Sequence, residues 1–167
     1  QRDDLYFDDQ KIEDYIKFSE KWFFKLQDFQ KFISCFVFLY EKDTNTPYFS
    51  EFFISMARGG GKNGYISTLA AFFMTPLHGI PKYNMSVVAN SEKQALVSFR
   101  EIYEMIESNN LYITGERPNN PFYLSKVYVE GTSTKSQFLF DTSNEKTKDG
   151  AREGCIFYDE VHAYEKD

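Results

Sequence analysis

Residues 56–64 read Met56-Ala57-Arg58-Gly59-Gly60-Gly61-Lys62-Asn63-Gly64, and this stretch decides the fold. Upstream, residues 48–56 (YFSEFFISM) are aromatic and β-rich, so a strand is expected to enter the glycines. Downstream, Ile66, Leu69, Ala70 and Phe73 keep helical spacing until Thr75-Pro76 stops the helix. Consecutive glycines between a strand and a helix let backbone N–H groups approach phosphate oxygens with no Cβ in the way, and the helix N-terminus adds partial positive charge. Lys62 is then expected to reach the β- and γ-phosphates of a nucleotide as a point charge. The match to G-x-x-x-x-G-K-[ST] is imperfect: aligned on Lys62, Met56 stands where the first Gly belongs and Asn63 where the magnesium-binding hydroxyl belongs. An Asn carbonyl oxygen is still a hard donor for such a cation. The competing reading of these residues is a glycine-rich hairpin turn beside an unrelated Lys.

The second deciding segment is Cys155-Ile156-Phe157-Tyr158-Asp159-Glu160, a short apolar run that reads as a buried strand with Phe157 and Tyr158 in the core. In P-loop enzymes a strand beside the phosphate-loop strand presents an Asp to the magnesium shell, here Asp159. A following carboxylate, here Glu160, orients or deprotonates the attacking water. Four apolar residues before Asp-Glu arise easily by chance, but the two segments stand in the right order and each on the right expected element.

Between and around them the chain alternates strand and helix. Trp22, Leu26, Phe29, Ile33, Phe36 and Tyr40 recur at steps of three and four, the stripe of one buried-face helix. Residues 85–89 (MSVVA) read as a strand, Asn90 or Ser91 as the cap of a helix, and Ala95, Phe99, Ile102 and Ile106 as that helix's buried face. Residues 122–129 and 137–140 read as two strands, and a polar loop over residues 142–154 follows. The acidic start, with Asp3, Asp4, Asp8, Asp9, Glu13 and Asp14, reads as a solvated arm or the edge of a first helix. The fold class is therefore α/β, a P-loop NTPase of RecA/ASCE-like type with a mainly parallel sheet flanked by helices.

Composition sets bounds on this reading. At 42% apolar residues, with 18 Phe and 12 Tyr, the 167-residue chain can bury a substantial core, which excludes wholesale disorder. A net charge of −6 gives no electrostatic case for strong nonspecific nucleic-acid binding, so any DNA contact requires a local basic patch. Cys35, Cys155, His78 and His162 lack the spacing of a structural zinc site. No apolar run approaches the roughly 20 residues of a membrane span, and Arg2-Asp3-Asp4 does not begin a signal peptide, so a cytoplasmic location and no membrane partner are expected.

These residues resemble the large, motor subunit of tailed-phage terminases, the ATPases that pump DNA into a prohead. Arg58-Gly59-Gly60-Gly61-Lys62-Asn63-Gly64 is similar to a deviant Walker A of that family, with an Arg four residues before the Lys. Residues 156–162 (IFYDEVH), preceded by Thr147-Lys148-Asp149-Gly150, resemble its Walker B and the small loop before it; Phe29-Gln30-Lys31 resembles its adenine-sensing region; and residues 87–91 with Gln94-Ala95 resemble its second strand and following helix. The resemblance implies ATP and Mg2+ as cofactors, with Lys62 and the backbone of Gly59, Gly60, Gly61, Lys62 and Asn63 on the phosphates, and Asn63 with Asp159 on the magnesium, partly through water. It implies Glu160 as the catalytic carboxylate, Arg58 sensing or stabilising the γ-phosphate, and Gln30 on the adenine edge. His162 is a candidate for coupling hydrolysis to movement, or a capping His. Lys146, Lys148 and Arg152 form a candidate DNA-facing patch, diluted by Glu145, Asp149 and Glu153, or a solvated loop.

In the intact protein the resemblance implies packaging of double-stranded DNA, a homo-oligomeric ring, portal protein and small terminase subunit as partners, and a phage- or prophage-encoded origin. The expected organisation is an N-terminal part of the motor domain over 1–167: a helical lead-in with the adenine-side region over 1–47 and the P-loop core through Walker B over 48–167, with no nuclease domain. Gln1 and Asp167 are expected to be cut edges, and the sheet incomplete. Two alternatives stay open: a DExH-type helicase fragment, suggested by Asp159-Glu160-Val161-His162, and a noncatalytic nucleotide-binding or assembly fragment.

Overall fold

The computed structural model describes residues 2–57, 59–89, 91–109, 112–113, 121–142 and 153–159, and its chain divides between Lys62 and Asn63 into two units. In the first unit β1 (Leu5–Phe7) leads into α1 (Asp9–Trp22), so the acidic start is a strand and a first helical turn. Asp8 caps α1, its carboxylate accepting the Lys11 N–H at 3.0 Å. Ile12, Tyr15, Phe18 and Ser19 form the buried side of this helix. Tyr15 packs against Phe38 with ring centroids 5.9 Å apart. Burying Tyr15, Phe38 and Leu26 contributes about 1.5–3 kcal/mol each.

The stripe from Trp22 to Tyr40 is not one helix. Helix α1 ends at Trp22, α2 spans Asp28–Val37, and Tyr40 lies in β2 (Leu39–Glu41), which pairs antiparallel with β1. The break has a local cause: the Gln30 side-chain oxygen accepts the Gln27 N–H at 2.9 Å, which starts a new helix after the turn that buries Leu26. The Tyr40 backbone is then taken up by the ladder opposite Tyr6.

No strand forms over residues 49–57. The Phe49 ring lies edge-on to Phe36 at 6.0 Å and to Phe52 at 5.9 Å, so these aromatics gather on α2 instead of alternating across a pleat. Phe53 is 87% exposed. Side chains collected on one helix leave the backbone without the neighbouring strand that a stable ladder requires.

Helix α3 (Lys62–Phe73) starts at the last residue of the first unit and runs on as the first element of the second, with every residue from Tyr65 to Phe73 buried. Then come β3 (Asn84–Ala89), α4 (Glu92–Ser108), β4 (Tyr112–Ile113), β5 (Phe122–Leu124), β6 (Tyr128–Gly131), β7 (Gln137–Thr142) and β8 (Glu153–Tyr158), the strands ordered β4-β5-β6-β7-β3-β8. Strand β3 is parallel to β7 and to β8, while β5 and β6 form a hairpin antiparallel to each other and β6 runs antiparallel to β7. The sheet is thus mixed, parallel at the β7-β3-β8 end. A strand flanked on both sides and covered by helices reads as a continuous apolar run, which is why MSVVA was legible. Ser91 caps α4, accepting from the Gln94 N–H, and Ala95, Phe99, Ile102 and Ile106 are buried as expected.

Two readings of this unit are corrected. Residues 122–129 hold parts of two strands, because Ser125 and Tyr128 close a tight turn through the Ser125 N–H bonding the Tyr128 carbonyl at 2.9 Å. Tyr158 is 56% exposed and Phe157 only half-buried, since β8 is the last strand in the sheet order and its side chains alternate between half-buried and exposed.

Candidate active site

In the first unit the glycine loop is a tight, asymmetric turn. The Gly60 N–H donates to the Ala57 carbonyl at 2.9 Å. Gly59 and Gly61 both hold φ of 81°, in the left-handed region, and Gly60 between them does not. Alternating handedness of this kind turns successive N–H groups toward one side and makes a concavity suited to an anion. Helix α3 starts directly after it in the chain, at Lys62. Gly59 and Gly61 are exposed, and Lys62 is half-buried.

Gln30 belongs to the same unit and is 1% exposed, on the buried side of α2 together with Ser34. A Cβ placed on Gly61 would lie 3.3 Å from Gln30 Nε2, so this side chain and the glycine loop are neighbours. Arg58 lies outside the described residues.

In the second unit the parallel strands β7, β3 and β8 finish at one edge, with Ala89 opposite Thr142 and Val88 opposite Tyr158. Ligands of open α/β sheets bind beyond the carboxyl ends of such strands. Asp159 follows β8 there; it is 5% exposed, and its N–H is fixed by the Val88 carbonyl at 2.8 Å. Glu160, His162, Lys146, Lys148 and Arg152 lie outside the described residues.

Asn63, the second residue of α3, is held by a contact that the sequence reading did not anticipate. Ser67 Oγ lies 2.9 Å from the Asn63 carbonyl, 2.7 Å from Glu101 Oε2 on α4 and 3.3 Å from the Ser98 carbonyl. One hydroxyl hydrogen faces three acceptors, so the fully buried Ser67 ties the first turn of α3 to α4. A serine four residues after Asn63 signals back-bonding to its carbonyl. Glu101 carries no local signal.

A sequence profile described as the terminase large subunit, ATPase domain, matches residues 28–167. The chain belongs to this family. It is 29% identical over 128 residues to the terminase large subunit of Lactococcus phage p2 and 28% identical over 128 residues to that of Lactococcus phage SK1. Each alignment covers 76% of this chain and 23% of the relative, so the terminase chain spans about a quarter of the relatives it matches. Its fold is that of the large terminase of bacteriophage HK97, in a crystal structure aligned with a TM-score of 0.71 at 19% identity, over 92% of this chain and 32% of that one. The α/β P-loop architecture read from the sequence is thereby that of a terminase ATPase domain. Among the described residues no helix is long and apolar enough to cross a membrane.

Proposed function

We propose that this chain is the ATP-hydrolysing segment of a phage terminase motor. In the intact protein it would drive double-stranded DNA into proheads in the host cytoplasm, as a ring of subunits working with a portal protein and a small terminase subunit. The observation that carries the proposal is the glycine turn, left-handed at Gly59 and Gly61, opening straight into α3 at Lys62. Membership of the terminase ATPase-domain family supports it.

The backbone N–H groups of Gly59 to Asn63 hold the phosphates, and the Lys62 ammonium pairs with the β- and γ-oxygens. The Asp159 carboxylate and the Asn63 amide oxygen are hard oxygen donors, a set that suits Mg2+ completed by water and phosphate oxygens. Held by Asp159 and Asn63, Mg2+ would supply positive charge to offset the negative charge that develops on the phosphate oxygens. Glu160 orients the attacking water and accepts its proton, and Arg58 stabilises charge on the transferring phosphoryl group; both roles rest on position in the motifs. Water attacks in line at the γ-phosphorus, the bond to the bridging oxygen breaks, and ADP and phosphate leave.

The test is steady-state ATP turnover by the protein in excess Mg2+. Glu160→Gln is expected to lower kcat by about 10²–10⁴-fold with little loss of nucleotide affinity. Lys62→Ala is expected to lose affinity and turnover together. If both variants retain the parent rate, the assignment is wrong. Tight binding of ATP by the parent protein with no turnover under any metal would favour the noncatalytic reading, toward which Asn63 in place of Ser or Thr leans.

A further inference from the structure

Asn63 stands where a P-loop carries the hydroxyl that meets magnesium. Asn has a second side-chain torsion that Ser and Thr lack, so its oxygen needs a firmly placed backbone to stay on a metal. Helix α4 supplies an anchor. Ser67, one turn further along α3 and fully buried, sets Oγ 2.9 Å from the Asn63 carbonyl, 2.7 Å from Glu101 Oε2 and 3.3 Å from the Ser98 carbonyl. Ser98 and Glu101 are three residues apart on α4 and share one face of it. The hydroxyl has one hydrogen for three oxygens, and the carboxylate is both the nearest acceptor and the charged one. Without Glu101 that hydrogen falls to the Asn63 carbonyl, and a serine bonded back into its own helix bends it.

We infer that Glu101 is a positioning residue for the proposed metal site: through Ser67 it anchors the first turn of α3 on α4 and fixes the backbone from which the Asn63 amide reaches Mg2+. The inference rests on the proposed role of Asn63 and gives that role a support in a second helix. Glu101 acts through Ser67 and touches neither nucleotide nor metal. Its loss therefore spares the affinity that the phosphates have without metal and removes part of what Mg2+ adds.

The experiment measures by calorimetry the affinity of the protein for a non-hydrolysable ATP analogue in EDTA and in excess Mg2+, with urea unfolding in parallel; the ratio of the two affinities is the contribution of the metal. Glu101→Ala is expected to lower that ratio about tenfold, the size set by one hydrogen bond to a charged group, with the EDTA affinity unchanged. Glu101→Gln keeps an oxygen for the Ser67 hydroxyl and is expected to restore most of the ratio. Ser67→Ala loses the anchor without the bend and is expected to fall between the parent and Glu101→Ala; it carries the test if Glu101→Ala does not fold. Glu104→Ala, which removes an exposed carboxylate one turn further along α4, is expected to match the parent. An unchanged ratio in Glu101→Ala or Ser67→Ala overturns the inference. So does an equal loss with and without Mg2+, which marks a merely structural role, or a loss in Glu101→Gln as large as in Glu101→Ala, which marks charge alone. Asn63→Ala tests the underlying reading: if it keeps the ratio of the parent, the metal role of Asn63 fails, whatever Glu101 does.

Discussion

Replacing Gly61 by Ala tests the loop geometry with a magnitude that can be worked out in advance. A residue with a Cβ in the left-handed region costs about 1–2 kcal/mol, and Gly61 sits there at φ 81°. The new methyl also meets Gln30 Nε2 at 3.3 Å, tighter than ordinary contact. That side chain moves away only by bending its bond to the Gln27 N–H, worth about 0.5–1.5 kcal/mol. The sum, about 1.5–3.5 kcal/mol, corresponds to roughly 10- to 300-fold in affinity if the loop takes this shape only on binding phosphate. Gly59→Ala is the internal control, because Gly59 has the same φ but nothing within 4 Å of a Cβ. It is expected to lose only the conformational part, about 5- to 30-fold. Calorimetric titration with tripolyphosphate, paired with urea unfolding, captures the penalty whether it falls on binding or on folding. In the double variant Gln30→Ala/Gly61→Ala the contact is gone, and the effect of Gly61→Ala on that background should fall to the level of Gly59→Ala. If Gly61→Ala binds tripolyphosphate and resists urea like the parent, the loop does not have the shape described.

Two further predictions concern the second unit. A Cβ on Gly131 would lie 2.0 Å from the Met74 carbonyl oxygen and 2.8 Å from Thr134 Oγ1, which donates to that same oxygen at 2.7 Å. Overpacking at about 1–3 kcal/mol and a lost buried acceptor at about 1–3 kcal/mol make Gly131→Ala destabilising by roughly 2–6 kcal/mol in urea unfolding, and Thr134→Ala by only the second part; a Gly131→Ala change below about 1 kcal/mol would contradict the close approach. Burial pushes the Cys155 thiol up from 9.0 to about 12, with Glu153 adding to the shift. Because the folded state disfavours the thiolate, stability from this group is fully present below pH 9 and is lost as the pH rises toward 12. The difference in urea midpoint between the parent and Cys155→Ala should therefore be flat from pH 7 to 8.5 and narrow above 9, and a difference that widens there would refute the assignment.

Much of the molecule follows from local patterns. Residues 85–89 declared β3 because a strand flanked on both sides tolerates no polar alternation, and Ser91 declared the start of α4 because its side chain can satisfy the Gln94 N–H. The glycines announced a tight turn opening into a helix because conformational freedom and helix capping are properties of a few adjacent residues. Together with the Asp-Glu segment they carried the terminase resemblance. Where the sequence misled, distant partners had decided. Residues 48–56 have the composition of a strand, yet Phe49 and Phe52 gather beside Phe36 and no ladder forms. Tyr158 has the composition of core, yet the last strand in the sheet order leaves it exposed.

The sequence by itself therefore determined strand β3, helix α4 with its cap, and the family, since each depends on spacing along the chain. Only the tertiary structure decided that Gln30 is buried against Gly61, that Ser67 ties Asn63 to Glu101, and that β7, β3 and β8 end side by side near Asp159. These are meetings of residues more than 30 positions apart, fixed by which surfaces must be buried together, and no local periodicity encodes them.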